Sequence, residues 1–212
     1  MTAVTSVAGV AIAAAFFVTG SYELSRDRIE ANERARLLRT LHQVLDPASY
    51  DNDPTEDRRY LTDPELLGTE QPVEVFLATR GGAPVTAVFA PVAPRGYTGP
   101  IDLLVGVGYD GTVSGVRATS HRETPGLGDA IDIAKSNWIR GFEGASLTDP
   151  PPDAWLVEPD GGHFDALTGA TVTPRAVVAA VKNTLIYYRQ HRAELFAEPT
   201  VFPGSRDEPS DE

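Results

Sequence analysis

One threonine hydroxyl lies where the sequence predicts the start of a helix. Thr171 ends the run Asp165-Ala166-Leu167-Thr168-Gly169-Ala170-Thr171. Thr173 and Pro174 follow as the predicted N-cap and first helical residue of a helix that continues to about Arg189. Unpaired amides and the helix dipole stabilise a phosphate at such an end, so a phosphoester on Thr171 would be favoured there. Taken alone, the same residues also fit an ordinary helix start without a ligand.

The Thr171 hydroxyl requires an activating group in order to react as a nucleophile. A threonine is a weak nucleophile at its ordinary pKa, and no adjacent histidine–carboxylate pair is available in the sequence to activate it. We therefore expect another protein to modify Thr171. The sequence also offers no acid–base pair for catalysis by this chain itself.

A second segment with possible chemistry is Glu123-Thr124-Pro125-Gly126-Leu127-Gly128. Two glycines around one apolar residue, with a proline before them, let the backbone approach a flat ligand closely. A tight surface turn without a ligand is the alternative interpretation. The glycine spacing does not match a dinucleotide-binding motif.

Composition excludes several kinds of function. The chain has 212 residues and a net charge of -12, which argues against a nucleic-acid partner. It contains no cysteine, the usual ligand of iron–sulfur clusters. Its four histidines show no paired spacing, so neither a haem nor another metal site is predicted. If the protein moves electrons, an organic cofactor must carry them.

Residues 1–22 carry no charged side chain and predict a transmembrane anchor. About twenty mainly apolar residues are enough to cross a bilayer core. A cleaved signal peptide is the main alternative, although its usual basic N-terminal region is missing. A buried helix fits less well, because the segment has no polar face. The arginines after the span would place the body of the protein in the cytoplasm by the positive-inside rule.

The remaining sequence predicts a stalk and one α+β domain. Residues 23–46 predict a stalk helix with a charged outer face, and residues 47–69 a loop-rich lead-in. The domain is expected at 70–192, and the acidic, proline-rich residues 196–212 are expected to be disordered.

Short strands, most of them around glycine turns, are predicted at 73–78, 85–90, 101–107, 113–118 and 155–157. A short helix is expected within 131–142 and an interruption at 148–153. Strands come first and helices late, without regular βαβ alternation, which indicates an α+β fold of antiparallel hairpins packed with helices.

Three stretches resemble one protein family. The run from Asp165 to Thr171 resembles the signal at which a flavin transferase of the ApbE type links FMN, through its phosphate, to the last threonine. Residues 120–129 and 96–106 resemble the same family, the G subunits of the Rnf (Rsx) membrane electron-transport complexes. That family is related to the C subunit of the sodium-translocating NADH:quinone reductase. The resemblance covers residues 14–188.

This resemblance implies an FMN-binding domain in which FMN is bound covalently to Thr171, with Asp165 as the acidic residue of the attachment signal. It includes Gly169 and Ala170 among the cofactor-binding residues. We expect Thr168 and Thr173 to hydrogen-bond the phosphate or to cap the helix. Residues expected to line the isoalloxazine ring are Glu123, Thr124, Gly126 and Leu127, with His121 and Trp138 as weaker candidates.

The family also implies a function. The chain would be an electron-transfer subunit, without turnover alone, of a complex that couples electron transfer between ferredoxin and NAD to ion translocation. The complex lies in the cell inner membrane, with this domain on the periplasmic side, opposite to the charge rule. Its partners would be the other subunits and the transferase. Two alternatives stay open: a non-redox scaffolding subunit and a secreted soluble flavoprotein.

Overall fold

The computed structural model describes residues 31–197. The predicted anchor at 1–22 and residues 198–212 of the predicted tail lie outside the described residues. Within 31–197, none of the helices combines the length and the apolar character that a membrane span requires.

The centre of the fold is a six-stranded antiparallel sheet. Its strands are β1 Arg58–Leu61, β2 Val73–Arg80, β3 Ala83–Phe89, β4 Val92–Ala93, β5 Ile101–Gly108 and β6 Val113–Ser120. Strand β5 pairs with β6 along one side and with β3 and the short β4 along the other. Strand β2 joins β3 to the outer strand β1.

Both predicted hairpins are confirmed. Gly81 and Gly82 connect β2 to β3, and both have positive φ angles (56° and 79°), as a tight hairpin turn requires. At the β5–β6 turn, the Asp110 carboxylate accepts hydrogen bonds from the backbone N–H and the hydroxyl of Thr112 (2.9 and 2.6 Å). Gly111 completes this turn with a φ of 91°.

Other local predictions were only partly right. The stretch expected to be a loop contains β1 and a short helix, α2 (Pro64–Leu67). The short helix expected within 131–142 forms as a 3-10 helix at Trp138–Phe142. The strand expected at 155–157 is reduced to a single bridge between Val157 and Phe164.

Each face of the sheet is covered by one helix. Helix α3 (Val172–Leu195) packs on one face and buries the predicted stripe of Val177, Val178, Val181, Leu185 and Tyr188. It begins two residues earlier than predicted and ends about six residues later. The other face is covered by the end of helix α1 (31–41) and the turn after it. The side chains of this second apolar cluster are Leu41, Val44, Leu45, Phe76, Ala78, Val88 and Leu104.

The described part of the predicted stalk is therefore attached to the sheet. The turn after α1 approaches the backbone of β6 closely at Gly115, since a Cβ on Gly115 would lie 3.0 Å from the Cα of Val44. The Ser114 hydroxyl donates to the Val44 carbonyl at 2.6 Å. Burial and hydrogen bonding together fix the end of this segment against β6.

Candidate functional site

Helix α3 begins two residues earlier than predicted. Its N-cap is Thr171, and Thr173 is the second helical residue, so the predicted N-cap at Thr173 was wrong. The cause is a tight turn just before the helix, in which the Ala170 N–H donates to the Leu167 carbonyl at 3.0 Å. Gly169 has a φ of 77° in this turn, a value that suits glycine at the third position of a type II turn.

Pro174 consequently occupies the third helical position, not the first. The first four amides of a helix have no partner within it, so the missing N–H of Pro174 still costs no intrahelical hydrogen bond. The amides of Val172 and Thr173 precede the first such bond and point out of the helix end. The start of α3 thus keeps the anion-stabilising character that the sequence predicted.

Thr171 is exposed at this helix end, and its side chain makes no capping hydrogen bond. Its hydroxyl is therefore accessible, as a reacting group must be. Thr168 and Gly169 are also exposed, whereas Ala170 is partly buried.

A cleft of about 260 Å³ opens beside Thr171. It brings together three segments that are distant in sequence: the loop after β4, the loop after β6 and the start of α3. Its lining residues are Tyr97, Glu123, Thr124, Leu127, Gly128, Gly169, Ala170, Thr171, Val172 and Thr173.

The cleft gathers most of the predicted site residues but not all. Thr168, Gly126 and Asp165 do not line it. Three lining residues were missed: Tyr97, Gly128 and Val172. A signal for each was available, since Tyr97 and Gly128 lie in matching stretches and Val172 directly follows Thr171.

Apolar side chains form the mouth of the cleft. Tyr97 is 69% exposed, Leu127 41% and Val172 39%. Leu127 also packs on the turn before α3, because a Cβ on Gly169 would lie only 2.7 Å from its Cδ2. The glycine at 169 is therefore required both by its φ angle and by this contact.

Glu123 is the buried charged group of the site, at 4% exposure. Its carboxylate accepts hydrogen bonds from the backbone N–H groups of Tyr97 (3.3 Å) and Thr98 (3.1 Å) and from the Thr98 hydroxyl (3.1 Å). The buried hydroxyl of Thr173 donates to the same carboxylate. Thr173 therefore bonds Glu123 and does not cap the helix.

The pKa of Glu123 reflects two opposing effects. Burial raises this pKa, because it disfavours the charged form. Hydrogen bonds from Thr173, Thr98 and Tyr97 stabilise the carboxylate and outweigh burial, so the pKa lies below its ordinary value. Glu123 is therefore ionised at neutral pH.

The weaker candidates lie outside the cleft. The Nδ1 of His121 accepts the Glu123 backbone N–H at 3.2 Å, which shapes the loop. The indole N–H of Trp138 donates to the Asp165 carbonyl at 2.8 Å, at the start of the run from Asp165 to Thr171. Trp138 and Asp165 line a separate depression of about 290 Å³ with Gly141, Phe142, His163 and Phe164.

The residues around the cleft fit the phosphate and the ring of FMN. Among residues 31–197, no cluster of three or more histidine, aspartate or glutamate side chains could hold a metal ion. An accessible hydroxyl at a helix N-terminus suits the phosphate, and apolar walls suit a flat ring. Typical ligand pockets measure about 300–1,000 Å³. At about 260 Å³ this cleft lies below that range, so it would leave part of the cofactor exposed.

Comparison with known proteins agrees with this fit. Residues 96–186 match the FMN-binding domain family. This stretch includes β5, β6, the cleft residues and most of α3. The fold and site thus define an FMN-binding domain.

Full-length relatives identify the family more closely. The G subunit of the ion-translocating oxidoreductase complex of Cereibacter sphaeroides is 51% identical over 175 residues, which are 82% of this chain and 78% of that protein. The same protein of Shewanella baltica is 45% identical over 181 residues, 85% of each chain. The chain belongs to the family of G subunits of ion-translocating oxidoreductase complexes.

A solved structure also matches part of the chain. It is the C subunit of the Na(+)-translocating NADH-quinone reductase of Parabacteroides distasonis, with 24% identity and a TM-score of 0.44. The match covers 65% of this chain and 69% of that chain.

Proposed function

We propose that this chain is the FMN-carrying electron-transfer subunit of an ion-translocating oxidoreductase complex, with FMN linked to Thr171 by a phosphoester. The family and its FMN-binding domain support the electron-transfer function. The observation that carries the linkage is the exposed hydroxyl of Thr171 at the N-terminus of α3, beside the cleft and without a capping bond.

The attachment step requires a flavin donor and a second protein. In the transfer from FAD, the Thr171 hydroxyl oxygen bonds to the phosphorus of the FMN half, and AMP leaves as the pyrophosphate bond breaks. The hydroxyl proton goes to a base of the transferase. The product gains the mass of one FMN less one water. A transferase of the ApbE type is the proposed catalyst.

The helix end stabilises the phosphate, but not enough to retain FMN by itself. The dipole of α3 contributes about 0.3–1 kcal/mol to a negative charge at its N-terminus. A covalent bond removes dissociation altogether, which suits a carrier that must not lose its flavin between turnovers. The backbone N–H groups of Val172 and Thr173, in the first turn of α3, would hold the phosphate.

The residues around the cleft position the ring and limit its contact with water. Leu127 and Val172 offer apolar contacts, and Tyr97 offers an aromatic face. The bound flavin supplies the redox chemistry, and the protein supplies its position and electrostatic surroundings. This division requires no catalytic acid or base from the chain.

The finer features of the function are also part of the proposal. The resemblance supports electron transfer between ferredoxin and NAD, an inner-membrane location and a periplasmic domain. The apolar N-terminal sequence supports an anchor at 1–22. The other subunits of the complex are the proposed partners. Extraction by detergent but not by high salt, with an uncleaved N-terminus by mass, would support the anchor over a secreted form.

Fluorescence in a denaturing gel tests the covalent linkage. The full chain is produced with and without a flavin transferase of the ApbE type, denatured and viewed under ultraviolet light. We expect a fluorescent band only with the transferase. A dark band, with the transferase active on another substrate, would contradict the linkage and favour the scaffolding alternative.

A further inference from the structure

The buried carboxylate of Glu123 joins the three segments that form the cleft. One oxygen accepts the backbone N–H and hydroxyl of Thr98. The other accepts the backbone N–H of Tyr97 and the hydroxyl of Thr173. We call this set of contacts the Glu123 clasp. It connects the loop after β4, the loop after β6 and the first turn of α3.

Two glycines show how closely the clasp is packed. A Cβ on Gly96 would lie 2.9 Å from one Glu123 carboxylate oxygen, and a Cβ on Gly128 would lie 2.9 Å from the other. The Cβ on Gly128 would also lie 2.8 Å from the Thr173 hydroxyl. Any larger residue at either position would push the carboxylate out of place.

Each segment held by the clasp supplies one wall of the cleft. Tyr97 comes from the first loop, Leu127 from the second, and Val172 from the start of α3. These are the apolar side chains at the mouth, and none of them is anchored by deep burial. The hydrogen bonds of Glu123 connect these three segments directly and so contribute to the relative positions of the walls.

Two threonines on the same helix turn have different surroundings. Thr171 is exposed and makes no capping bond, whereas Thr173 is 0% exposed and its hydroxyl bonds Glu123. Covalent attachment and placement of the ring would accordingly use different residues.

We propose that Glu123 is a positioning residue, which acts through Thr173, Tyr97 and Thr98 to hold the cleft walls in the geometry that orients the flavin ring. This inference rests on the proposed function. It differs from the sequence prediction for Glu123, because its carboxylate oxygens bond protein donors and act on the ring only through the walls.

Thr173→Val tests the inference on the full chain, because valine keeps the shape of threonine and removes only the hydroxyl. Thr173→Ser restores the hydroxyl. The matched control is Thr184→Val, which removes another buried hydroxyl from α3, one that bonds the Ala180 carbonyl at 2.9 Å far from the cleft. Glu123→Gln is a second variant, since the amide has one acceptor oxygen in place of two.

The first readout needs no flavin. Hydrogen exchange is measured on protein produced without the transferase. We expect the amides of Tyr97 and Thr98 to exchange about tenfold faster in Thr173→Val and Glu123→Gln, the change expected when one hydrogen bond to a charged group is lost. Thr173→Ser and Thr184→Val should match the wild type at these two amides.

The second readout uses flavin-loaded protein. All variants should gain the mass of one FMN less one water. The visible circular dichroism of the bound flavin should fall in Thr173→Val and Glu123→Gln and stay at the wild-type value in Thr173→Ser and Thr184→Val. A purely structural role would alter the exchange and leave the flavin spectrum unchanged.

Three results would overturn the inference. The first is the same exchange and flavin spectrum in Thr173→Val as in Thr184→Val. The second is altered exchange with an unaltered flavin spectrum. The third is loss of flavin from a folded Thr173→Val, because the clasp would then be needed for attachment. A wild-type protein that gains no flavin would instead overturn the proposed function, and the positioning of the ring with it.

Discussion

The body of α3 and its first turn are held in place by different interactions. The body buries apolar side chains against the sheet, where Leu185 and Tyr188 are almost fully buried. The rings of Tyr188 and Phe89 pack edge to face, with their centroids 6.2 Å apart. The first turn instead relies on hydrogen bonds to Glu123 and on glycines that allow close contact. Stability therefore comes mainly from the body, whereas the geometry of the cleft comes from directional polar contacts.

This difference predicts that function and stability can be lost separately. Changes in the first turn should affect flavin more than folding, and changes in the body should affect folding more than flavin.

The largest functional effect is expected for Thr171→Ala. The exposed hydroxyl is the proposed attachment atom and makes no capping bond, so its removal should abolish covalent flavin and leave the free energy of unfolding within about 0.5 kcal/mol of the wild type. Gel fluorescence and urea denaturation would measure the two effects. Thr119→Ala, which removes an exposed hydroxyl outside the run from Asp165 to Thr171, should keep its flavin and serves as the control.

The largest stability effect is expected for Leu185→Ala in the body of α3. Removing a fully buried leucine side chain costs about 2–5 kcal/mol, because it loses apolar contacts and leaves a cavity. Covalent flavin should still be present in the folded fraction. If this variant lost flavin while folded, the proposed independence of the two regions would be wrong.

The Glu123 clasp should make stability depend on pH. The folded-state pKa of Glu123 is lowered, so the carboxylate contributes stability that is fully present above its unfolded pKa of about 4.3 and is lost as pH falls through the folded pKa. At pH 7 we expect Glu123→Gln to cost about 1–3 kcal/mol through lost hydrogen bonds in a buried site. This cost should shrink below pH ~4.3 in denaturation series. An equal cost at all pH values would contradict the clasp.

A smaller effect is expected for Gly169→Ala. The positive φ disfavours alanine by about 1–2 kcal/mol, and the new Cβ would displace Leu127. The expected result is this modest destabilisation together with a changed flavin circular dichroism spectrum. Gly111→Ala, another positive-φ turn with open space around it, is a matched control that should be destabilised without a flavin change.

The sequence predicted the body better than the site. A helical period and hairpin glycines are local signals, so the buried stripe of α3 and both hairpins were predicted correctly. Strand β1 was missed because it is an outer strand with two arginines, whose pattern resembles a loop. Its pairing with β2 is a tertiary interaction that has no local signal.

The details of the site depend on contacts between distant residues. Thr173 fits a helix cap by its type and position, but its hydroxyl bonds a carboxylate 50 residues away. Glu123 belongs to a matching stretch, yet only the folded chain directs its oxygens toward Tyr97 and Thr98. The position of Thr171 at the helix start was predicted because the run that contains it and the helix signal that follows are continuous in the sequence.

Attachment of FMN to Thr171 is tested by the intact mass of the full chain, produced with and without a flavin transferase and followed by fragment mapping. We predict a gain of one FMN less one water, only with the transferase, on the peptide that contains Thr171. A gain on another residue would contradict the site. No gain, with the transferase active on another substrate, would contradict covalent attachment of FMN to this chain.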